Sequence, residues 1–233
     1  MPERSLRVQL VRHTDTPQEL VALGARLCYA GGTLDSLVEK ISGSDQEAFV
    51  QKVMGMGHDS VLEHASFTFL VEGVSRVLLA QLTRHRIASF SVQSQRYVNM
   101  SDARALLPDS IDNDEGALGM YGFAVEAAFN TYNNLIELGI PKEDARMVLP
   151  EATFTKILFT MNARELKHFF SLRMCNRAQW EIRDMANAMY RQVIDVAPVI
   201  FKNAGPGCWR GACPEKKPCG NPPERVKVGG KDK

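Results

Sequence analysis

The sequence predicts an α+β fold, a single compact domain with several helices and a mobile tail from residue 205, and three observations lead there. Short alternating runs such as Ala65-Ser66-Phe67-Thr68-Phe69-Leu70-Val71 read as half-buried strands, interleaved with longer runs opened by helix-capping residues. No segment repeats another and no long linker interrupts residues 1–204, whereas the tail, 205–233, holds 5 of the 11 prolines and several glycines. The composition agrees, since 45% of the 233 residues are hydrophobic and 24% charged, ordinary globular values. A chain of this length buries about 70% of its unfolded surface, enough for a core without disulfide or metal staples.

Taken in order, Thr16 followed by Pro17 opens a helix in the N-cap and N1 manner that runs to about Ala30. Ser44 with Glu47 forms a capping box for a second helix, stopped by Gly55 or Gly57. After the 65–71 strand, Ser75 caps an apolar helix through Val77, Leu78 and Leu82 that delivers Arg84, His85 and Arg86 at or just beyond its end. A long helix fits Asp114 to Leu138, stopped by Gly139, and Thr153 to Met161 alternates as another strand. Asn162 with Glu165 is again a capping box, starting a helix to about Met174, and Ala178 to Lys202 forms the last helix.

Charge is organised along the chain in a way the total hides. Residues 1–72 carry 6 basic and 10 acidic side chains, residues 73–101 carry 4 and none, residues 102–163 carry 4 and 10, and residues 164–233 carry 14 and 7. The net of +1 therefore conceals −4, +4, −6 and +7. The carboxylate-free window between Glu72 and Asp102 cannot neutralise itself locally and calls for something anionic. A pI near 7.7 argues against a dedicated nucleic-acid binder, whose domain pI is usually above about 9. Met1 to Gln9 lacks the apolar region of a signal peptide, and no stretch reaches the roughly 18 apolar residues of a membrane helix. The expectation is a cytoplasmic protein with neither membrane nor nucleic-acid partner.

Five cysteines, Cys28, Cys175, Cys208, Cys213 and Cys219, are an odd number without a secretory signal, which disfavours a disulfide framework. The last three lack CxxC spacing and the tail holds no histidine, so no metal site is expected there.

The central signal is the run from Arg84 to Tyr97. Three guanidiniums, one imidazole and three hydroxyls fall within its first 13 residues. Guanidinium forks match phosphate oxygens bidentately and serine hydroxyls add donors, so the composition suits a phosphate cradle. A solvated basic loop paired with the acidic flanking segments explains the same composition.

The run also resembles the signature of the flavin-dependent thymidylate synthases, Arg-His-Arg, seven residues, then Ser. Here it reads Arg84-His85-Arg86 and then Ser94, followed by Arg96 and Tyr97. Upstream, His58-Asp59-Ser60-Val61-Leu62-Glu63-His64 resembles the family's His-x-Ser/Thr-x-x-x-His block. Downstream, Ala145-Arg146-Met147-Val148-Leu149-Pro150, Asn162-Ala163-Arg164, Leu172-Arg173 and Ala178-Gln179-Trp180-Glu181-Ile182 follow in the family's order. The resemblance covers about residues 5–202.

What the resemblance implies is a methyltransferase that makes dTMP from dUMP, taking the methylene of methylenetetrahydrofolate and a hydride from FAD reduced by NADPH. It implies an α+β fold with antiparallel strands, assembled as a homotetramer with active sites at subunit interfaces. By that resemblance Ser60, Arg84, His85, Arg86, Asn162, Ala163, Arg164 and His168 contact FAD, with His58 in support. Gln81, Arg84, Val92, Gln93, Ser94, Gln95, Arg96, Arg146 and Arg173 hold dUMP. Two positions depart from common family patterns: many members have Glu or Gln where Val92 stands and Asn where His168 stands. Val92 offers only backbone groups, which leaves the polar contact to Gln93, and His168 is left to stack on or hydrogen-bond the flavin.

Arg173 gains support from the residues themselves. Leu166, Phe169, Phe170 and Arg173 fall at i, i+3, i+4 and i+7, placing a permanently charged group on an apolar helix face. Such a group needs an anion or several acceptors. The resemblance names the uracil ring and gives Arg173 the catalytic role; Glu165, Glu181 and Asp184 are the alternatives within the chain. Ser94 has no adjacent base or orienting carboxylate, so it is assigned to substrate binding, and Cys175 is expected to pack behind Arg173. His58 and His64 do not have HExxH spacing; one imidazole is expected at the flavin and the other in a structural contact. A phosphate-binding module without catalysis, or another NADPH-dependent flavoenzyme, are the competing functions.

Overall fold

The computed structural model describes residues 5–31, 33, 35, 36, 38 and 45–226. Its centre is a four-stranded antiparallel sheet of order β1-β2-β4-β3, with β1 Arg7–His13, β2 Ser66–Ser75, β3 Ala88–Val92 and β4 Phe154–Asn162. Backbone pairing fixes the register: Ala163 N–H donates to Ala65 O, while Arg76 N–H, eleven residues after Ala65, donates to Glu151 O. Thr68 and Thr160 face each other across β2 and β4, with their hydroxyls 2.9 Å apart. By internal packing the chain forms two compact units. One comprises residues 5–7, Leu70–Arg84 and Phe90–Leu158, and the other Val8–Phe69, His85–Ser89 and the chain from Phe159 onward.

The second unit holds the larger core. Helices α1 (Pro17–Leu27) and α2 (Gln46–Gly55) pack together, and α7 (Ala163–Arg173) packs on a 3-10 turn at Asp59–His64 and on α8 (Trp180–Val196). Phe67, Phe69, Phe159, Phe169, Phe170 and Phe201 are all fully buried there. Phe67 meets Phe201 edge-on at 5.2 Å, and Phe170 meets Tyr190 at 5.5 Å, the arrangement that ring quadrupoles favour.

The first unit contains α3 (Arg76–Leu82), the short α4 (Asp109–Asp112), the long α5 (Glu115–Glu137) and α6 (Lys142–Ala145). Its helical cluster closes on Tyr132, fully buried among Met100, Ala145, Leu135 and Leu149, with its hydroxyl oxygen accepting from Met100 N–H at 3.1 Å. Tyr121 Oη donates to Leu106 O at 2.5 Å.

The caps that the sequence offers are largely the caps used. Ser75 Oγ accepts from Leu78 N–H at 3.1 Å, Asp114 Oδ1 from Ala117 N–H at 2.8 Å, and Asn162 Oδ1 from Glu165 N–H at 2.9 Å. Four details differ. Thr16 stands at the N-cap of α1, but its φ of 42° is left-handed and its side chain caps nothing, and the helix stops at Leu27 rather than Ala30. The second helix is capped by Asp45, accepting from Ala48 N–H; the expected Ser44 lies outside the described residues. The last helix breaks at Ala197, because Pro198 has no N–H and crowds the residue before it out of the helical region; a separate turn, α9 (Pro198–Phe201), follows. Strands β1 and β3 were not anticipated at all.

The tail carries contacts over its described part, 205–226. Trp209 packs edge-on against Tyr190 and donates to Pro223 O at 2.8 Å, and Arg225 donates to Trp209 O. Arg177 pairs with Glu215 at 2.9 Å, and Asn176 Nδ2 donates to Asn221 O at 2.7 Å. All five cysteines are free thiols, and burial, then the thiols of Cys175, Cys213 and Cys219 nearby, push the Cys208 thiol up. No helix among the described residues is long and apolar enough to cross a membrane.

Candidate functional site

Because Asn162 is both the last residue of β4 and the N-cap of α7, the helix leaves the sheet with no intervening loop. The first turn sets Ala163 inward, Arg164 outward and Glu165 inward; the third brings Arg173 to the C-terminal end, half-buried. Phe169, from the same helix, meets the His85 ring edge-on at 4.9 Å.

His85 is the hub of the second unit. The imidazole is only 4% exposed, with Nδ1 2.7 Å from Glu165 Oε1, itself 7% exposed in its residue. Arg173 Nε donates to His85 Nε2 at 3.1 Å. A guanidinium N–H can only donate, so Nε2 accepts and the ring proton resides on Nδ1, donating to Glu165. Burial holds His85 below the ordinary histidine range, the hydrogen bond to Glu165 opposes that, and Arg173 and His168 press it down again. The result is a neutral imidazole linking a buried carboxylate to a guanidinium. Arg173 thus reaches Glu165 through His85. Among the described residues His85, Glu165 and His168 also bring three potential metal-ligand atoms within 4.8 Å, but both His85 nitrogens are already engaged in this chain.

Around this hub the second unit gathers most of the residues expected to face FAD. His168 is exposed, its ring 5.8 Å from that of His85. Arg164 is exposed and pairs with Glu63 at 2.5 Å. Ser60 and His58 are exposed on and just before the 3-10 turn, and Arg86 is exposed one residue past His85. His64 lies against α1, so close that a Cβ on Gly24 would sit 2.9 Å from its ring, which is the structural contact expected of one of the two histidines.

The first unit gathers the residues expected at dUMP other than Arg173, which belongs to the second. Gln81 is half-buried on α3, and Arg84 is exposed two residues past its end. Val92 ends β3, and Gln93 N–H donates to Lys156 O at 2.9 Å. Ser94 Oγ accepts from Arg96 N–H at 3.2 Å, closing a turn rather than meeting a base, and Gln95 is buried. Arg96 pairs with the Glu143 carboxylate, and Arg146 Nε donates to Glu143 O at 3.1 Å, so one residue steadies two guanidiniums.

Three side chains have roles that the sequence reading did not give them. Glu165 was named as a capping partner and as a possible partner of Arg173, but its carboxylate turns to His85, which stands between the two. Glu143 gave no signal. Arg76 was counted only as charge: burial and then Arg146 lower its pKa against the pull of Glu151, and its Nη1 is buried without a hydrogen-bond partner. A buried guanidinium donor beside a second guanidinium is a place for an anion.

Comparison with known proteins identifies the family. The family model described as thymidylate synthase complementing protein matches residues 9–199. A flavin-dependent thymidylate synthase from Geobacter sulfurreducens is 53% identical over 212 residues, covering 90% of this chain and 91% of its own. The Clostridium tetani enzyme of the same name is 42% identical, covering 96% of each chain. Among solved structures, the UMP/dUMP methylase PolB from Streptomyces cacaoi, bound with 5-Br dUMP, superposes with a TM-score of 0.75 at 28% identity, covering 86% of this chain and 94% of that one. With the Arg84-His85-Arg86 run, a family match over most of its length and relatives of this identity, the chain belongs to the flavin-dependent thymidylate synthase family.

Proposed function

We propose that the protein forms dTMP from dUMP, with methylenetetrahydrofolate as carbon donor, FAD as cofactor and NADPH as reductant. The observation that carries the reading is the Glu165-His85-Arg173 chain, which aims a guanidinium by way of a buried neutral imidazole in a chain whose relatives are named for this reaction. The second unit's donors fit a flavin dinucleotide. Arg86, Arg164, Ser60 and His168 are exposed, and a diphosphate needs such cations and hydroxyls. Together with Arg84, His85, Asn162 and Ala163 they would hold it, His58 supporting. Bound FAD, once reduced, supplies the hydride that turns the transferred methylene into a methyl group.

The chain's own residues do the rest. Arg96, Arg146 and the unpartnered Arg76 Nη1 offer guanidinium donors to the dUMP phosphate, while Gln81, Arg84 and the Val92–Gln95 backbone and side chains orient the nucleoside. Arg173 faces the uracil N3 and its flanking carbonyls. A cation there favours the enolate-like ring, so C5 becomes nucleophilic without a covalent bond to the enzyme, and the C5 hydrogen leaves as a proton. Cys175, half-buried beside Arg173, is left as packing.

The same reading gives a homotetramer with active sites at subunit interfaces. An outward face of α5 supports association, for Met120 and Phe123 are 77% and 78% exposed. It also places the synthase domain at residues 1–204 with 205–233 appended, supported by the family match ending at 199, and sets the enzyme in the cytoplasm. The test is direct: purified protein should be yellow, and should release tritium from dUMP labelled at C5 when given the folate and NADPH. Arg173→Ala should stay yellow and release none. Wild-type turnover in that variant, or a colourless wild type, would sink the reading.

A further inference from the structure

Within the second unit a cavity of about 570 Å³ opens between α2, α7 and the segment after α9. Among the described residues its wall carries Arg164, Lys167, Lys202 and Arg210 against a single carboxylate, Asp59, and includes His168. Two of these residues, Arg164 and His168, are among those proposed to face the flavin. Three of the four cations already hold carboxylates one at a time, each a different one: Lys167 with Asp59 at 3.1 Å, Lys202 with Glu47 at 3.7 Å, Arg164 with Glu63 at 2.5 Å.

Several cations on one cavity wall that each hold a different carboxylate match a flexible ligand carrying carboxylates along its length. Of the four ligands in the proposed reaction that bear anions, only the folate, through its glutamate tail, has that pattern; dUMP, FAD and NADPH carry compact phosphates. The geometry points to this cavity as the seat of the oligoglutamate tail of the folate co-substrate. The inference rests on the proposed synthase activity and adds to it a preference for long-tailed folates. Lys202, at the C-cap of α9 and not among the residues proposed to hold FAD or dUMP, is the position at which to test it.

The measurement is KM for methylenetetrahydrofolate with one and with four glutamates, on the FAD-loaded full chain. Wild type should favour the tetraglutamate by roughly tenfold, the sum of two or three exposed ion pairs. Lys202→Glu should erase most of that preference, and Lys167→Gln part of it. Turnover with the monoglutamate and FAD content should stay at wild-type values. Equal KM for the two folates in wild type overturns the inference. So does a Lys202→Glu effect confined to NADPH and absent with NADH, which would make the cavity a 2′-phosphate site, or loss of FAD, which would give it to the flavin diphosphate. If no folate supports dTMP formation, the synthase reading fails. Displacement of bound tetraglutamyl folate by free tetraglutamate, lost in Lys202→Glu, then still decides the cavity.

Discussion

Arg173 and Glu165 lie on the same helix and never need to touch, because His85 joins them: Arg173 Nε donates to one ring nitrogen at 3.1 Å and the other nitrogen donates to Glu165 at 2.7 Å. The carboxylate thereby chooses the tautomer that can accept from the guanidinium. Protonating His85 removes that acceptor and puts a cation against Arg173.

This gives a pH prediction with a definite sign. Glu165 raises the His85 pKa while burial and Arg173 lower it. In Glu165→Gln the amide oxygen still accepts from Nδ1, but the charge that favoured the imidazolium is gone, so the His85 pKa falls further. The acid limb of kcat for tritium release should move to lower pH, even though activity near neutrality drops. A limb that moves up, or does not move, contradicts the link. For stability, a histidine held below its ordinary value of 6.5 takes up a proton first in the unfolded state. Melting temperature should therefore decline as pH falls below that value, less so in His85→Gln.

Arg76 should matter to the phosphate and to little else. Removing its buried, unpaired donor by Arg76→Gln takes away a charge-assisted bond of about 1.5–3 kcal/mol, or roughly 10- to 100-fold in KM for dUMP. Flavin reduction by NADPH in the absence of dUMP should be unaltered. An unchanged KM for dUMP would place Arg76 among the structural residues.

The outward face of α5 predicts a change in mass. Met120 and Phe123, about one turn apart, are 77% and 78% exposed, and such an apolar pair suits the proposed contact between subunits. Phe123→Glu should shift the assembly toward smaller species in light scattering while leaving the far-ultraviolet circular dichroism unchanged. A wild-type mass would exclude this face from the assembly.

The tail is held by a close fit at Gly205. Its φ is 127°, and a Cβ there would lie 2.4 Å from the Trp209 ring. Gly205→Ala should lift Trp209 from Tyr190, seen as a red-shifted tryptophan emission and faster proteolysis after Arg210. If both readouts match wild type, the ring does not depend on this contact.

Much of the fold was legible because helix starts are written locally. Ser75, Asp114 and Asn162 each offer a short side-chain acceptor within three residues of the N–H it satisfies, and each is used. β1 was invisible for the opposite reason. Arg7–His13 is a sheet edge whose pairing partner lies some sixty residues on, and its exposure, largely on both faces, blurs any alternation. β3 was hidden inside a run dominated by its charges. At the candidate site, motif spacing brought forward Arg84, His85, Arg86 and Arg173, yet Glu165 was named only as a capping residue and one of three possible partners of Arg173, not as the partner of His85. A capping box and a buried ion-pair partner use the same residue type, and only the fold shows which way the carboxylate turns.

The absence of a loop between β4 and α7 leaves the site no slack. One residue inserted after Asn162 would turn the helix by about 100°, since each residue advances an α-helix by that angle. Glu165, His168 and Arg173 would swing away from His85 together, with the core face of α7 rotated toward solvent. Length variation among relatives should therefore avoid this junction and collect at turns such as Gly139–Pro141, where α5 has already ended and nothing catalytic is being aimed.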